Sequence, residues 1–308
     1  MKNTFSFALF FYLILPLAII TACSSEEEPT PIYNNEIDSE DYIEGIYIIG
    51  YEEKEFPIHL RTSNPAIFTS HPTKRTFEIS STGQGNYTLS EGAYWVNYHY
   101  ENEPGTVHTL PLLITKNKAY AKDVVSAIKK MKTEPDGYTL VLRHALSSIG
   151  VDRSSSNIAN WWKSCDDKVA RQMDELGIAQ SKNIGRILKK LEIPVTSNTS
   201  SEFCRAVQTL EYMELDVPII QDAKINHQNI NPKSPIYDDV TEIIKNNAVP
   251  GGIQIIVGHY NMSLATSYNE FIMPLLMGDG WILKSSSSGD PTFVGAIPYF
   301  YWEVFDEI

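Results

Sequence analysis

Two apolar runs constrain this chain most. Tyr138-Thr139-Leu140-Val141-Leu142 runs straight into Arg143-His144-Ala145, and Ile253-Gln254-Ile255-Ile256-Val257 runs straight into Gly258-His259. Both read as strands of an α/β sheet. A third element lies between them: a short apolar run, Ile193 to Val195, leads through a Ser-rich turn from Ser197 into Cys204-Arg205-Ala206-Val207-Gln208-Thr209, which opens a helix carrying Arg205 near its start. Ligands of such sheets bind beyond the carboxyl ends of the strands, so both histidines and both arginines are expected to meet in one crevice.

Charge and geometry say what the crevice suits. Guanidinium forks hold phosphate oxygens through paired, charge-assisted hydrogen bonds, and the first amides of a helix add donors and a favourable dipole. Nearby positive charge also lowers a histidine pKa, leaving a lone pair free to attack phosphorus. One histidine attacks and the other binds.

In these blocks the chain resembles the histidine phosphatase superfamily, the phosphoglycerate-mutase-like fold. The resemblance runs from about Gly137 to the C-terminus and consists of blocks in order: Leu142-Arg143-His144-Ala145, the segment from Arg171 through Leu176-Gly177 to Gly185, the Cys204–Thr209 block, and Val257-Gly258-His259. It implies a three-layer α/β catalytic domain and a phosphomonoesterase in which His144 is transiently phosphorylated. Arg143, Arg205 and His259 then bind the transferred group, and Ser147 is a further candidate donor to the phosphate. No metal and no cofactor are implied.

Two departures stand out. Ala145 replaces the glycine that most family members carry after the histidine, and Tyr260 follows His259 where some members have an aspartate. The proton donor is therefore expected between Arg205 and His259, with His227 nearest the usual acidic position and Asp222 as the second candidate. The alternative is a non-catalytic lipoprotein that kept the fold and binds a phosphate or phosphorylated glycan.

The start of the chain reads as an export signal. Met1-Lys2 precedes an apolar stretch from about Phe5 to Ile20, and Ile20-Thr21-Ala22-Cys23 closes it with small residues. The ending resembles a bacterial lipoprotein box, which implies a signal peptide over 1–22, lipidation at Cys23 and a place in the bacterial cell envelope, held to the membrane by the lipid. Residues 23–41, polar and with two prolines, read as a flexible tether reaching about 20–25 Å by random-coil scaling.

From 42 to 121 the pattern changes to short β-like runs: Ile43 to Ile49, Pro57 to Leu60, Arg75 to Ser80, Tyr87 to Leu89, Ala93 to Tyr100 and Val107 to Ile114. Such spacing fits a small, sandwich-like all-β domain. A helical stretch over 122–136 follows, with Val124, Val125, Ile128 and Met131 in register, and 137–308 forms the phosphatase-like domain.

Composition narrows the partners. With 308 residues the chain is long enough for two domains, and a formal net charge of -13 argues against nucleic acid while leaving a small phosphorylated substrate open. Setting Cys23 aside leaves Cys165 and Cys204, an even pair in an exported chain, which fits a disulfide. Family members with cysteines at both places point the same way, with two free thiols as the alternative. Cys165 to Arg171 satisfies C-x5-R, the phosphate cradle of cysteine phosphatases. It has no glycine, however, and Asp166 and Asp167 sit where the anion would bind, so this reading is rejected. A metal hydrolase built on His144, His227 and His259 lacks any local ligand pair.

Overall fold

The computed structural model describes residues 35–153, 157–226, 238–260, 262–263, 275–285 and 291–308. Residues 35–308 form one compact unit. Its first part contains β1 (Tyr42–Ile43), β2 (Ile46–Gly50), β3 (Phe56–His59), β4 (Ala66–Ser70), β5 (Gln84–Tyr87), β6 (Gly92–Tyr100) and β7 (His108–Thr115). Five of these make a sheet in the order β1-β2-β7-β6-β4, while β3 and β5 form a separate antiparallel ribbon.

The ribbon covers one face of that sheet, where Phe56, Ile58, Tyr94, Val96, Leu110 and Leu112 pack together. The other face joins a different core. Ile46, Ile48, Trp95 and Leu113 pack with Val124, Val125, Ile128 and Met131 of α1 (Lys118–Thr133) and with side chains of the second sheet. The helix starts one turn earlier than its sequence pattern suggests and packs one face, from Ala121 to Met131, into the core shared by the two sheets.

Ala66–Ser70 is a strand, paired with β6, whereas Arg75 to Ser80 is irregular. Residues 35–41, read as the end of the tether, belong to the fold: Ile37 bridges Thr62, and Asp41 forms ion pairs with Lys118 at 2.6 Å and Lys122 at 2.8 Å. Polar composition suggested a loose segment, but the Glu36 N–H donates to Ser63 Oγ, the Asp38 N–H donates to the Arg61 carbonyl, and the Asp41 carboxylate is held by two lysines. Cys23 and the export segment lie outside the described residues.

The second sheet is built from β8 (Tyr138–Arg143), β9 (Val195–Ser200), β10 (Ile219–Gln221), β12 (Ile253–Gly258), β14 (Gly280–Ser285) and β15 (Pro291–Ile297). A short pair, β11 (Asp238–Asp239) and β13 (Met262–Ser263), stands apart. The order is β10-β9-β12-β8-β14-β15, with the first four parallel and the last two antiparallel. On one face lie α1, α2 (Glu175–Lys190), α3 (Cys204–Met213) and α5 (Tyr301–Phe305), packed on Leu140, Leu142, Ile255 and Val257. On the other, α4 (Thr241–Asn247) packs on Val141, Ile256, Trp281 and Leu283. This is a three-layer α/β arrangement. Strands covered on both faces call for near-continuous apolar runs, which Leu140 to Leu142 and Ile255 to Val257 provide just before Arg143 and Gly258.

Strand β9 departs from that rule. Its residues from Ser197 to Ser200 are polar and buried, so the stretch read as a Ser-rich turn is itself a strand, hydrogen-bonded to β12 on one side and β10 on the other. Small side chains fit between neighbours, and some find local partners. Asn198 Nδ2 donates to the Val217 carbonyl at 3.3 Å, and Asn247 Nδ2 donates to Thr199 Oγ1 at 3.2 Å.

Candidate functional site

The register of the parallel strands places the site. Gly258 of β12 lies opposite Arg143 of β8, and Val257 lies opposite Ser200 of β9, so all three strands end on one edge. The His144 backbone N–H donates to Gly258 at 2.9 Å and that of Ser201 to Val257 at 2.9 Å, which carries the pairing one residue beyond the strands. His144, Ser201 and His259 therefore stand side by side. The His144 and His259 rings lie edge to face with centroids 5.4 Å apart, each about 1 % exposed.

His144 is held in one chemical form. Its Nδ1 lies 2.9 Å from the Ala145 carbonyl oxygen, which can only accept, so Nδ1 carries the hydrogen. The lone pair of the neutral ring is then on Nε2, where Arg205 Nε donates at 3.2 Å. Burial, and after it the Arg205 charge, hold the imidazole pKa well below the usual 6.5. The ring is a buried neutral base.

Arg205 lies in the first turn of α3, 2 % exposed, with its guanidinium 4.4 Å over the Phe203 ring. Burial pulls its pKa down to about 10, which leaves it charged at neutral pH. Its Nη1 donates to Asp152 Oδ1 at 3.1 Å. Arg143, at the end of β8, donates from Nη1 to the Leu275 carbonyl at 2.5 Å and stands 5.8 Å from the Tyr260 ring. His259 Nε2 is 2.9 Å from Ser201 Oγ, which also accepts the Phe203 backbone N–H at 3.2 Å.

These side chains surround a cavity of about 230 Å³ lined by Arg143, His144, Arg205 and His259, together with Asp152, Trp161, Arg171, Phe203 and Tyr260. The guanidinium groups outnumber the carboxylate by two charges, a match for a phosphomonoester dianion. The Nε atoms of Arg143 and Arg171 are buried with no protein acceptor among the described residues. A larger, more apolar cavity of about 510 Å³ sits at the opposite, amino ends of β8 and β12, beside Tyr138, Thr139 and Gln254. The three arginines and two histidines are at the carboxyl ends.

Of the residues singled out in the sequence, the fold gathers Arg143, His144, Arg205 and His259. Ser147 is not a lining residue. Its hydroxyl is 3.5 Å from His144 Nδ1 and 3.6 Å from Met277 Sδ, behind the ring, because the chain turns away from the cavity after Ala145. Asp222 is engaged elsewhere, capping the short turn Ala223–Ile225 by accepting the Lys224 N–H at 2.8 Å. His227 lies outside the described residues. Cys165 and Cys204 are joined in a disulfide, with Cα atoms 5.4 Å apart, so neither is a thiolate.

Sequence reasoning missed Asp152 as a site residue, and it treated Arg171 only as part of the helix block. Residues 149–153 run antiparallel to 167–172, tied by Gln172 N to the Ile149 carbonyl at 2.8 Å and Arg153 N to the Val169 carbonyl at 3.0 Å. No short motif announces such a loop pairing. Among the described residues, no group of three or more His, Cys, Asp or Glu side chains could hold a metal ion, and no helix is long and apolar enough to cross a membrane.

No family model matches the chain, and no curated protein matches it. Solved structures similar to it include the protein histidine phosphatase SixA complexed with tungstate, at 14% identity and a TM-score of 0.37, covering 53% of this chain and 97% of that one. Phosphoglycerate mutase from Plasmodium falciparum is similar at 15% identity and a TM-score of 0.32, covering 51% of this chain and 87% of the other. A phosphoserine phosphatase mutant from Entamoeba histolytica in complex with phosphoserine is similar at 13% identity and a TM-score of 0.34, covering 53% and 97%.

Proposed function

We propose that this chain is a phosphomonoesterase working through a phosphohistidine on His144, exported and tethered to a membrane by lipid on Cys23. One observation carries the catalytic part: Nδ1 of His144 is committed to the Ala145 carbonyl, so its lone pair is on Nε2, where it accepts from Arg205 Nε beside a cavity lined by guanidinium groups. In the first step Nε2 attacks phosphorus in line, the bond from phosphorus to the ester oxygen breaks, and that oxygen leaves with a proton. Water then attacks phosphorus, the N–P bond breaks, and neutral His144 and inorganic phosphate result. The Ala145 carbonyl stabilises the positive ring that forms on attack. Arg143, Arg205 and His259 stabilise charge on the equatorial oxygens.

Trapping tests the reading directly. Base-quenched mixtures with a labelled phosphomonoester are expected to hold a phosphoenzyme that is stable in base and lost on acidification, absent in a folded His144→Ala variant. A chelator is expected to leave turnover unchanged. Strong turnover by His144→Ala would end the nucleophile assignment. If neither an aryl nor an alkyl phosphate is hydrolysed while inorganic phosphate still binds, the chain is a phosphate-binding lipoprotein.

A further inference from the structure

We propose that Asp152 is the general acid and base of this site, an inference that rests on the phosphatase reading above. Asp152 Oδ1 accepts Arg205 Nη1 at 3.1 Å, while Nε of the same guanidinium donates to His144 Nε2 at 3.2 Å. One rigid plane thus holds the attacking nitrogen and a carboxylate on different donors. In-line transfer needs a proton-handling group other than the nucleophile, on the leaving-oxygen side of phosphorus, and Asp152 is the carboxylate that lines the cavity beside it.

The carboxylate is placed with care. Its Oδ1 also accepts the Arg171 backbone N–H at 3.0 Å, which pins it to the paired loop segment. The far side of that segment is fastened by the Cys165–Cys204 disulfide to the first residue of α3, next to Arg205 itself. The side chain is 31% exposed, so it reaches both the cavity and incoming solvent.

Three other acids are committed to groups that do not line the cavity. Glu202 accepts Trp162 Nε1 at 3.1 Å and Asn226 Nδ2 at 2.9 Å and pairs with Lys163 at 2.7 Å. Asp279 accepts the backbone N–H groups of Tyr299 and Leu276. Asp174 caps α2 and accepts the Ser148 hydroxyl. Asp152 is the one carboxylate among the described residues that line the cavity.

A phosphoryl group docking on Arg205 must share that guanidinium with Asp152. Two anionic oxygens brought together at one donor are best accommodated with a proton between them. That proton passes to the ester oxygen as its bond to phosphorus breaks, leaving Asp152 as carboxylate. The carboxylate then takes a proton from the water that attacks the phosphohistidine, and the N–P bond breaks. Each turnover restores the starting protonation.

The test compares wild type, Asp152→Asn and His227→Asn on an alkyl monoester, glycerol phosphate, and an aryl one, p-nitrophenyl phosphate, whose leaving group hardly needs a proton. For Asp152→Asn the alkyl kcat is expected to fall about 100-fold or more. The aryl ester should instead give a burst of nitrophenol followed by accumulated phosphoenzyme. Inorganic phosphate should bind no more weakly than to wild type, because a negative charge has been removed. Three outcomes overturn the proposal: equal losses on both esters with no aryl burst and no accumulated phosphoenzyme, a loss confined to KM with weaker phosphate binding, or an alkyl-selective loss in His227→Asn instead. A wild type inactive on both esters rejects the phosphatase reading itself, and this inference with it.

Discussion

Thr209 Oγ1 accepts the backbone N–H of Ala145 at 3.1 Å and donates to the Arg205 carbonyl at 2.8 Å. One buried hydroxyl therefore locks the turn after His144 to the helix that carries Arg205.

Replacing Thr209 with valine keeps shape and branching but leaves the Ala145 N–H buried without an acceptor. The expected loss is about 1–3 kcal/mol of stability, measured as a shift in the urea midpoint at constant slope. Turnover should fall further than that of a surface control, since the Ala145 carbonyl that orients the imidazole moves with its peptide. Unchanged turnover at reduced stability would show the link to be structural alone.

His144 should report its environment through pH. Its folded pKa is depressed, so below about 6.5 the unfolded chain binds a proton that the folded chain refuses, and stability falls as pH falls. The slope from this one group is about 1.4 kcal/mol per pH unit between 6.5 and its folded pKa. Urea melts at pH 6 and pH 5 should show that excess loss in wild type relative to His144→Gln. An imidazole signal of His144 titrating near 6.5 by NMR would contradict the buried neutral ring.

How much of this was legible in the sequence follows from which forces chose each residue's place. Arg143, His144 and His259 could be read because buried central strands favour near-continuous apolar runs, and the histidines sit where those runs stop. Strand β9 was hidden, since pairing on both edges overrides the polar character of Ser197 to Ser200. Asp152 and Arg171 were hidden for another reason: loop pairing and a disulfide bring them to Arg205, and neither leaves a periodic trace. Ser147 was close enough in sequence to suggest a phosphate donor, but the turn after Ala145 aims it at the wrong ring nitrogen.

The disulfide offers a redox test of the same architecture. Cys165 and Cys204 are 39 residues apart, so closing that loop is expected to contribute about 2–4 kcal/mol. The Cys165→Ala/Cys204→Ala double variant should lose stability in that range. It should also lose kcat more than phosphate affinity, because Asp152 rides on the tethered loop while Arg143 and Arg205 remain held by the sheet and α3. Equal kcat in oxidised wild type and the double variant would remove the disulfide from the account of the site.

Gly177 provides a last check on how α2 supports the nucleophile. The helix begins at Glu175 with Asp174 accepting the Gly177 N–H at 2.9 Å, and a Cβ on Gly177 would strike the Leu146 carbonyl, two residues past His144. Gly185, two turns further along the same helix, would strike the Met213 carbonyl at the end of α3, away from the cavity. Alanine raises helix propensity equally at both positions, so the difference between the variants isolates the contact each Cβ meets. Both substitutions should destabilise by about 1–3 kcal/mol through overpacking. Only Gly177→Ala should also lower kcat beyond its effect on folding, since displacing Leu146 shifts the Ala145 peptide that orients the imidazole. Measuring kcat at temperatures where both variants are fully folded separates the two effects, and matched kcat values would mean that α2 supports the fold without aligning His144.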